Sequence, residues 1–123
     1  MPNANVKGMQ VLSLYVSVLD KSVKFYKEIL GFSQLCEVPP GLTLRAGDLT
    51  LYLEPGRKSK VAEPGIHAEF SPCFETDSVK ATYITLKELG VSIFEDYQKY
   101  SPDFAMFKIT DPDGNVIEFA GTP

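Results

Sequence analysis

The sequence contains no tryptophan, one histidine and two cysteines in 123 residues. Because Cys36 and Cys73 lie in different segments, we expect reduced, partly buried thiols and no disulfide framework. With His67 as the single histidine, no set of metal ligands with a familiar spacing is present. These shortages exclude small disulfide-stapled folds and histidine-rich metal sites.

Long apolar runs and an excess of positive charge are also missing. No segment approaches the roughly 20 consecutive apolar residues of a membrane-spanning helix, and the first residues have no apolar core of signal-peptide length. The formal charge of −4 comes from 16 acidic and 12 basic residues without long blocks of one sign. We therefore expect a cytoplasmic protein that binds neither nucleic acid nor membrane.

The first half of the chain reads as one helix among four strands. Residues 11–18 alternate between apolar and mixed side chains, which predicts a half-buried strand. A helix is predicted from about 20 to 30, with Asp20 as its N-cap and Gly31 as its stop. Further strands are predicted at 32–38, 42–46 and 49–54.

The second half repeats this β-α-β-β-β order. We predict a strand from about His67 to Glu75, a helix capped near Thr76 or Asp77, and strands at 91–97, 104–110 and 115–120. We expect a single domain, with module one at about 8–54, a linker at 55–66 and module two at 67–123. One helix covers only one face of each sheet, so the other, mixed face indicates a cleft.

Three segments carry a family resemblance: VSVLDKSVKFYKEILGF at 16–32, FETDSVKATYITLKELGV at 74–91 and TDPDGNVIEF at 110–119. In these segments the chain resembles the vicinal oxygen chelate superfamily, which holds glyoxalase I, bleomycin resistance proteins and extradiol dioxygenases. The resemblance implies an α+β fold of tandem βαβββ modules, with eight mixed strands in a cupped sheet and two helices outside. It also implies a homodimer.

The resemblance further implies metal ligands on the first, fourth, fifth and eighth strands of metal-dependent members. Glu118 falls on the eighth-strand position, but the first and fifth positions fall on Val11 and Ser71, and the fourth falls near Tyr52. Catalytic zinc, nickel or iron needs about three protein ligands. We therefore predict no metal and no cofactor; if a divalent metal does bind, Glu118 with Glu54 or His67 is the alternative set.

Glu118 stands between Ile117 and Phe119 in a strand that is otherwise apolar. Strand periodicity places its side chain on the cleft side, nearly opposite Lys108 across the Asp-Pro-Asp-Gly turn. One interpretation is a half-buried carboxylate neutralised by Lys108, and the other is a ligand-binding group. The sequence leaves both open.

The predicted cleft lining is largely apolar and aromatic with a few polar points. Its ligand-binding residues are predicted to be Ser13, Tyr15, Arg45, Tyr52, Ser71, Cys73, Phe104, Met106, Lys108 and Glu118. This mixture suits a small organic, flat or aromatic ligand held by stacking and a few hydrogen bonds. The segment YSPD at 100–103 is predicted as a loop at the rim of the cleft.

The resemblance and the residues together predict a metal-independent small-molecule-binding protein of the glyoxalase and bleomycin resistance type. The alternative is a metal-dependent, glyoxalase-like lyase or isomerase, or a dioxygenase relative. In that alternative Glu118 is the best catalytic candidate, with Glu54, Tyr52, His67 or Glu69 beside it. A further alternative is an interaction module in which dimerisation buries the cleft.

Overall fold

The computed structural model describes residues 3–56 and 71–123 and divides the chain into two compact units, 1–57 and 58–123. Unit 1 contains β1 (Val11–Val16), α1 (Leu19–Lys24), a π-helical segment (Phe25–Ile29), β2 (Ser33–Val38), β3 (Gly41–Ala46) and β4 (Leu49–Pro55). Unit 2 contains β5 (Cys73–Phe74), α2 (Val79–Glu88), β6 (Ile93–Ser101), β7 (Phe104–Thr110) and β8 (Val116–Gly121). The predicted tandem order of strands and helices is confirmed.

Each unit folds as a four-stranded mixed sheet. The strand orders are β1-β4-β3-β2 and β5-β8-β7-β6. In both units the first and last strands pair in parallel, whereas the remaining pairs are antiparallel. Parallel pairing requires a crossover connection, which the helix of each unit supplies. The last strand of each unit therefore lies inside its sheet, with a neighbour on both sides.

The core of unit 1 lies on the helix-facing side of its sheet, where α1 packs on β4. The buried apolar side chains are Val16, Phe25, Tyr26, Phe32, Leu42, Leu44, Leu51 and Leu53. The Tyr26 ring meets Phe25 and Phe32 edge-on, with ring centroids 5.2 and 5.6 Å apart. Each such side chain contributes about 1.5–3 kcal/mol when fully buried.

The first helix differs from the prediction in two ways. It ends as an α-helix after six residues and continues as a π-helical segment, in which the Leu30 N–H bonds to the Phe25 carbonyl at 3.1 Å. Its N-cap is Val18, without a side-chain cap, so the prediction of Asp20 was wrong. The wider π turn accompanies the burial of two consecutive aromatic residues, Phe25 and Tyr26.

In unit 2, α2 packs on β6, β7 and β8. The buried apolar side chains are Val79, Leu86, Ala105, Phe107, Ile109, Val116, Ile117 and Phe119. The N-cap of α2 is Ser78, whose Oγ accepts the Ala81 N–H at 3.1 Å, so the predicted caps Thr76 and Asp77 were wrong. In the parts of the chain that the structure describes, no helix has the length and hydropathy needed to cross a membrane.

Two predicted segments of unit 2 have different bounds. The fifth strand pairs at Cys73–Phe74, and His67, where it was predicted to begin, lies outside the described residues. The sixth strand runs through Ser101, so Tyr100 and Ser101 belong to it, and the predicted YSPD loop is a tight hairpin turn. The hairpin forms because Pro102 and Asp103 are enough to reverse the chain.

The turn between β7 and β8 is held by the buried carboxylate of Asp111, which is only 5% exposed. Its Oδ1 accepts the backbone N–H groups of Asp113 and Asn115 at 2.9 and 2.8 Å. Its Oδ2 accepts Nδ2 of Asn115 at 2.8 Å. These bonds fix the hairpin that pairs Lys108 with Glu118.

Replacing Asp111 by asparagine should destabilise the protein. Asparagine has one side-chain oxygen and one NH₂ group in place of the two oxygens of aspartate. Either the backbone N–H groups of Asp113 and Asn115 or the Nδ2 group of Asn115 would then face a donor instead of an acceptor. We expect the free energy of unfolding to fall by about 2 kcal/mol, measured by urea denaturation. The control is Asp103→Asn at the exposed β6–β7 turn, with an expected change within about 0.5 kcal/mol; equal effects at both positions would contradict this role for Asp111.

Candidate functional site

Four polar side chains lie in line across the sheet of unit 2. Glu118 on β8 has Cys73 on β5 and Lys108 on β7 as its backbone partners, and Lys108 in turn faces Glu95 on β6. We call Cys73, Glu118, Lys108 and Glu95 the polar row. The row exists because Ile117 and Phe119 are buried toward the helix side, which leaves Glu118 on the opposite face.

The ion pair in the polar row joins Lys108 to Glu95. Lys108 Nζ lies 3.4 Å from Glu95 Oε2, with the lysine 19% and the glutamate 45% exposed. The predicted position of Lys108 opposite Glu118 is confirmed. Of the two interpretations left open for Glu118, neutralisation by Lys108 is not observed, because Lys108 pairs with Glu95. Within residues 3–56 and 71–123, the half-buried Glu118 carboxylate has no salt bridge.

The thiol of Cys73 is sensitive to the charge of Glu118. The Cys73 side chain keeps contact with solvent, but partial burial raises its pKa, and the adjacent Glu118 carboxylate raises that pKa further. A hydrogen bond with the Ala120 backbone acts in the opposite direction and is the weakest influence. Cys73 is therefore a protonated, weakly nucleophilic thiol at neutral pH.

Two other predicted site residues share the face of the polar row. Phe104 and Met106 alternate along β7 with the buried Ala105 and Phe107, so they lie on the same side as Lys108. Met106 is half-buried and Phe104 is 44% exposed. They provide an apolar surface next to the charged groups.

Ser71, another predicted ligand-binding residue, serves the sheet itself. Its hydroxyl donates to the Val116 carbonyl at 3.5 Å, while the neighbouring Pro72 carbonyl accepts the Glu118 N–H at 2.8 Å. The segment before β5 is thus tied to β8 and supports the backbone at Glu118. That Ser71 also contacts a ligand stays a prediction.

Unit 1 carries its own line of polar residues across β1, β4, β3 and β2: Ser13, Tyr52, Thr43 and Cys36. The Tyr52 hydroxyl donates to the Val38 carbonyl at 3.0 Å. Its ring lies over Gly41, where an added Cβ would come within 3.2 Å of Cε1 and would collide with the Leu53 carbonyl. The Tyr52 side chain is therefore held in place, and that it contacts a ligand stays a prediction.

Tyr15 and Arg45 lie on the same polar face of unit 1 and are exposed. Tyr15 on β1 faces Glu54 on β4. Arg45 on β3 faces Thr50. That these residues line one cleft together with those of unit 2 stays a prediction.

The described residues do not provide a set of ligands for a transition metal. In the two described ranges, no three histidine, cysteine, aspartate or glutamate side chains come together. Val11 occupies the first-strand position with a hydrocarbon side chain, and Glu54 and Glu118 belong to different units. His67 and Glu69 lie outside the described residues. Glu118 lies on β8 and Glu54 on β4, the eighth and fourth strands, and that either binds a metal stays the alternative prediction.

Residues 8–119 match the family model described as Glyoxalase/Bleomycin resistance protein/Dioxygenase superfamily. The chain belongs to this superfamily. Over 116 residues it is 28% identical to the metallothiol transferase FosB of Staphylococcus epidermidis, covering 92% of this chain and 82% of that protein.

Two solved structures resemble most of the chain. FosX, a fosfomycin resistance protein from Listeria monocytogenes, superposes with a TM-score of 0.78 at 16% identity, covering 94% of this chain and 93% of that one. TnmS3, an antibiotic binding protein from Streptomyces sp. CB03234, superposes with a TM-score of 0.67 at 27% identity, covering 95% and 97%. The chain thus shares its fold with these two proteins.

Glu95 is the member of the polar row that the sequence pattern did not predict. Counting back from the Ser101–Phe104 pair would place Tyr97, not Glu95, opposite Lys108. Register shifts within the β6–β7 hairpin bring Glu95 to that position instead. The one usable signal in the sequence was that Glu95, on the strand next to that of Lys108, carries a charge of opposite sign.

Neutralising Glu118 should make Cys73 more reactive. In a Cys36→Ser background, Glu118→Gln removes the charge that raises the pKa of the Cys73 thiol, while burial continues to raise it. We expect iodoacetamide to alkylate Cys73 severalfold faster at neutral pH, with the pH profile of the rate displaced to lower pH. Glu37→Gln in unit 1 is the control and should leave the rate unchanged; an unchanged rate in Glu118→Gln would show that the two groups do not interact.

Proposed function

We propose that the protein binds a small organic ligand at the polar row, with Glu118 as the polar anchor and without a resident transition metal. The observation that carries this proposal is the Glu118 carboxylate, which is half-buried in the interior of a sheet without a salt bridge in the described residues. A half-buried carboxylate is stabilised when a ligand donates hydrogen bonds to it. Met106 and Phe104 would contact the apolar part of the ligand.

The relatives support a small molecule as the partner. FosB is named a metallothiol transferase, and TnmS3 is named an antibiotic binding protein. The side chains of this chain favour the second kind of activity, because the described residues contain no group of three metal ligands. We infer a binding protein for an aromatic or similarly flat organic compound, acting as a single domain over residues 1–123 and as a homodimer.

A metal-dependent transferase, lyase or isomerase is the second candidate. It is favoured by the position of Glu118 on β8, where the superfamily resemblance places a metal ligand, and by the similarity to FosB. The weakness of this candidate is its donor set, since the residues at the first-strand and fifth-strand positions are Val11 and Ser71. Metal content separates the two candidates.

Protein purified without chelator or affinity tag should contain much less than one transition metal per chain. The measurement is mass spectrometry of metal content for the wild-type protein and for Glu118→Ala. The physical reason is that one carboxylate does not hold zinc, nickel or iron against water. About one metal per chain, lost in Glu118→Ala, would contradict the metal-free proposal and direct assays toward the enzyme.

Ligand binding should depend on the Glu118 carboxylate. We expect members of an aromatic amine and amide library to shift the backbone NMR signals of Glu118, Lys108 and Met106 in a saturable way. Because a hydrogen bond to a charged group contributes about 1.5–3 kcal/mol, Glu118→Ala should weaken binding by about tenfold or more. Glu37→Ala in unit 1 is the matched control, and a library without any saturable response at the polar row would refute the proposal.

A further inference from the structure

The polar row contains two carboxylates and one ammonium group, and the ammonium is not shared equally. Lys108 is a backbone partner of both Glu118 and Glu95, so either carboxylate is within reach of its flexible side chain. Its Nζ is 3.4 Å from Glu95 Oε2, and in the described residues no salt bridge joins it to Glu118. The positive charge of the row is therefore held at the β6 side.

We propose that Glu95 determines ligand specificity: by holding the Lys108 ammonium it leaves Glu118 as the charge that a ligand meets, so the polar row selects cationic aromatic ligands over anionic ones. This inference rests on the proposed function, because it concerns the same site. The inference specifies the charge of the ligand in addition to its shape. It also gives a role to Glu95, which does not itself contact the ligand. Glu95 is a positioning residue in this sense.

The electrostatics of the row support this assignment. The charged members of the polar row are two carboxylates and one ammonium, which give the row a net negative charge. An anionic ligand would be repelled by Glu118 and would find the single ammonium already paired, whereas a cation would pair with a half-buried carboxylate.

The exposure of the ion pair makes the inference testable by one substitution. Glu95 is 45% exposed, and exposed ion pairs are weak. Lys108 should therefore change partner when the Glu95 charge is removed, because Glu118 is its other neighbour across the sheet. In Glu95→Gln the ammonium would neutralise Glu118 and remove the anchor for a cation.

The first experiment reads the charge of Glu118 without any ligand. In a Cys36→Ser background, Glu95→Gln should lower the pKa of the Cys73 thiol and speed its alkylation by iodoacetamide severalfold at neutral pH. Asp96→Asn is the control, since it lies in the same strand but its carboxylate accepts the Tyr83 hydroxyl, and it should leave the rate unchanged. An unchanged rate in Glu95→Gln would overturn the inference whatever the ligand data show.

The second experiment compares two aromatic probes of opposite charge, benzamidine and benzoate, by NMR titration of the wild-type protein and its variants. We expect benzamidine to bind at the polar row at least tenfold more tightly than benzoate. Glu95→Gln should weaken benzamidine severalfold, and Lys108→Met together with Glu95→Gln should restore its binding. If the double variant binds benzamidine again, the weaker binding in Glu95→Gln is an effect of charge and not of a general loss of structure.

The outcomes distinguish this inference from the proposed function. If both probes bind at the polar row with equal affinity, the charge selectivity is overturned while the binding function stands. If neither probe nor any library compound binds there, the proposed function fails and the inference fails with it. Tight benzamidine binding that Glu95→Gln leaves unchanged would also overturn the role of Glu95.

Discussion

Parallel pairing between the first and last strands of each unit is the constraint on which the rest of the structure depends. It forces a helical crossover after the first strand, and it brings the last strand into the interior of the sheet. Glu118 is consequently flanked by β5 on one side and β7 on the other. A carboxylate at the edge of the sheet would be a solvated surface group, but in this place it is half-buried.

The alternation of side chains along the strands then divides each sheet into two faces. In β8 the apolar residues Ile117 and Phe119 face α2, and the same period of two directs Glu118 to the other face. One helix per unit is enough to cover the apolar face. The polar face is therefore a product of the same pattern that builds the core, and substitutions on it should have little effect on the packing of the core.

The order of elements followed from the sequence because it depends on local signals, namely alternation, helical stripes and turn residues. β7 has the bounds that were predicted, Phe104–Thr110. The misses have other causes. The π-helical segment depends on how Phe25 and Tyr26 pack, and the partner of Lys108 depends on register shifts in the β6–β7 hairpin. Neither the π-helical segment nor the partner of Lys108 is encoded in local spacing. The position of Glu118 could therefore be predicted from the alternation along its own strand, whereas that of Glu95 could not.

Two carboxylates, Glu118 and Glu95, face the one lysine of the polar row, and in the described residues only Glu95 is paired with it. If Glu118 were tightly paired with Lys108, the site would be a closed ion pair with little capacity to bind a polar ligand. With Lys108 held by Glu95, the sheet keeps a partly desolvated acceptor whose best partner must come from outside the row. A half-buried carboxylate without an ion pair is the kind of exception to the rules of folding that proteins show at functional sites.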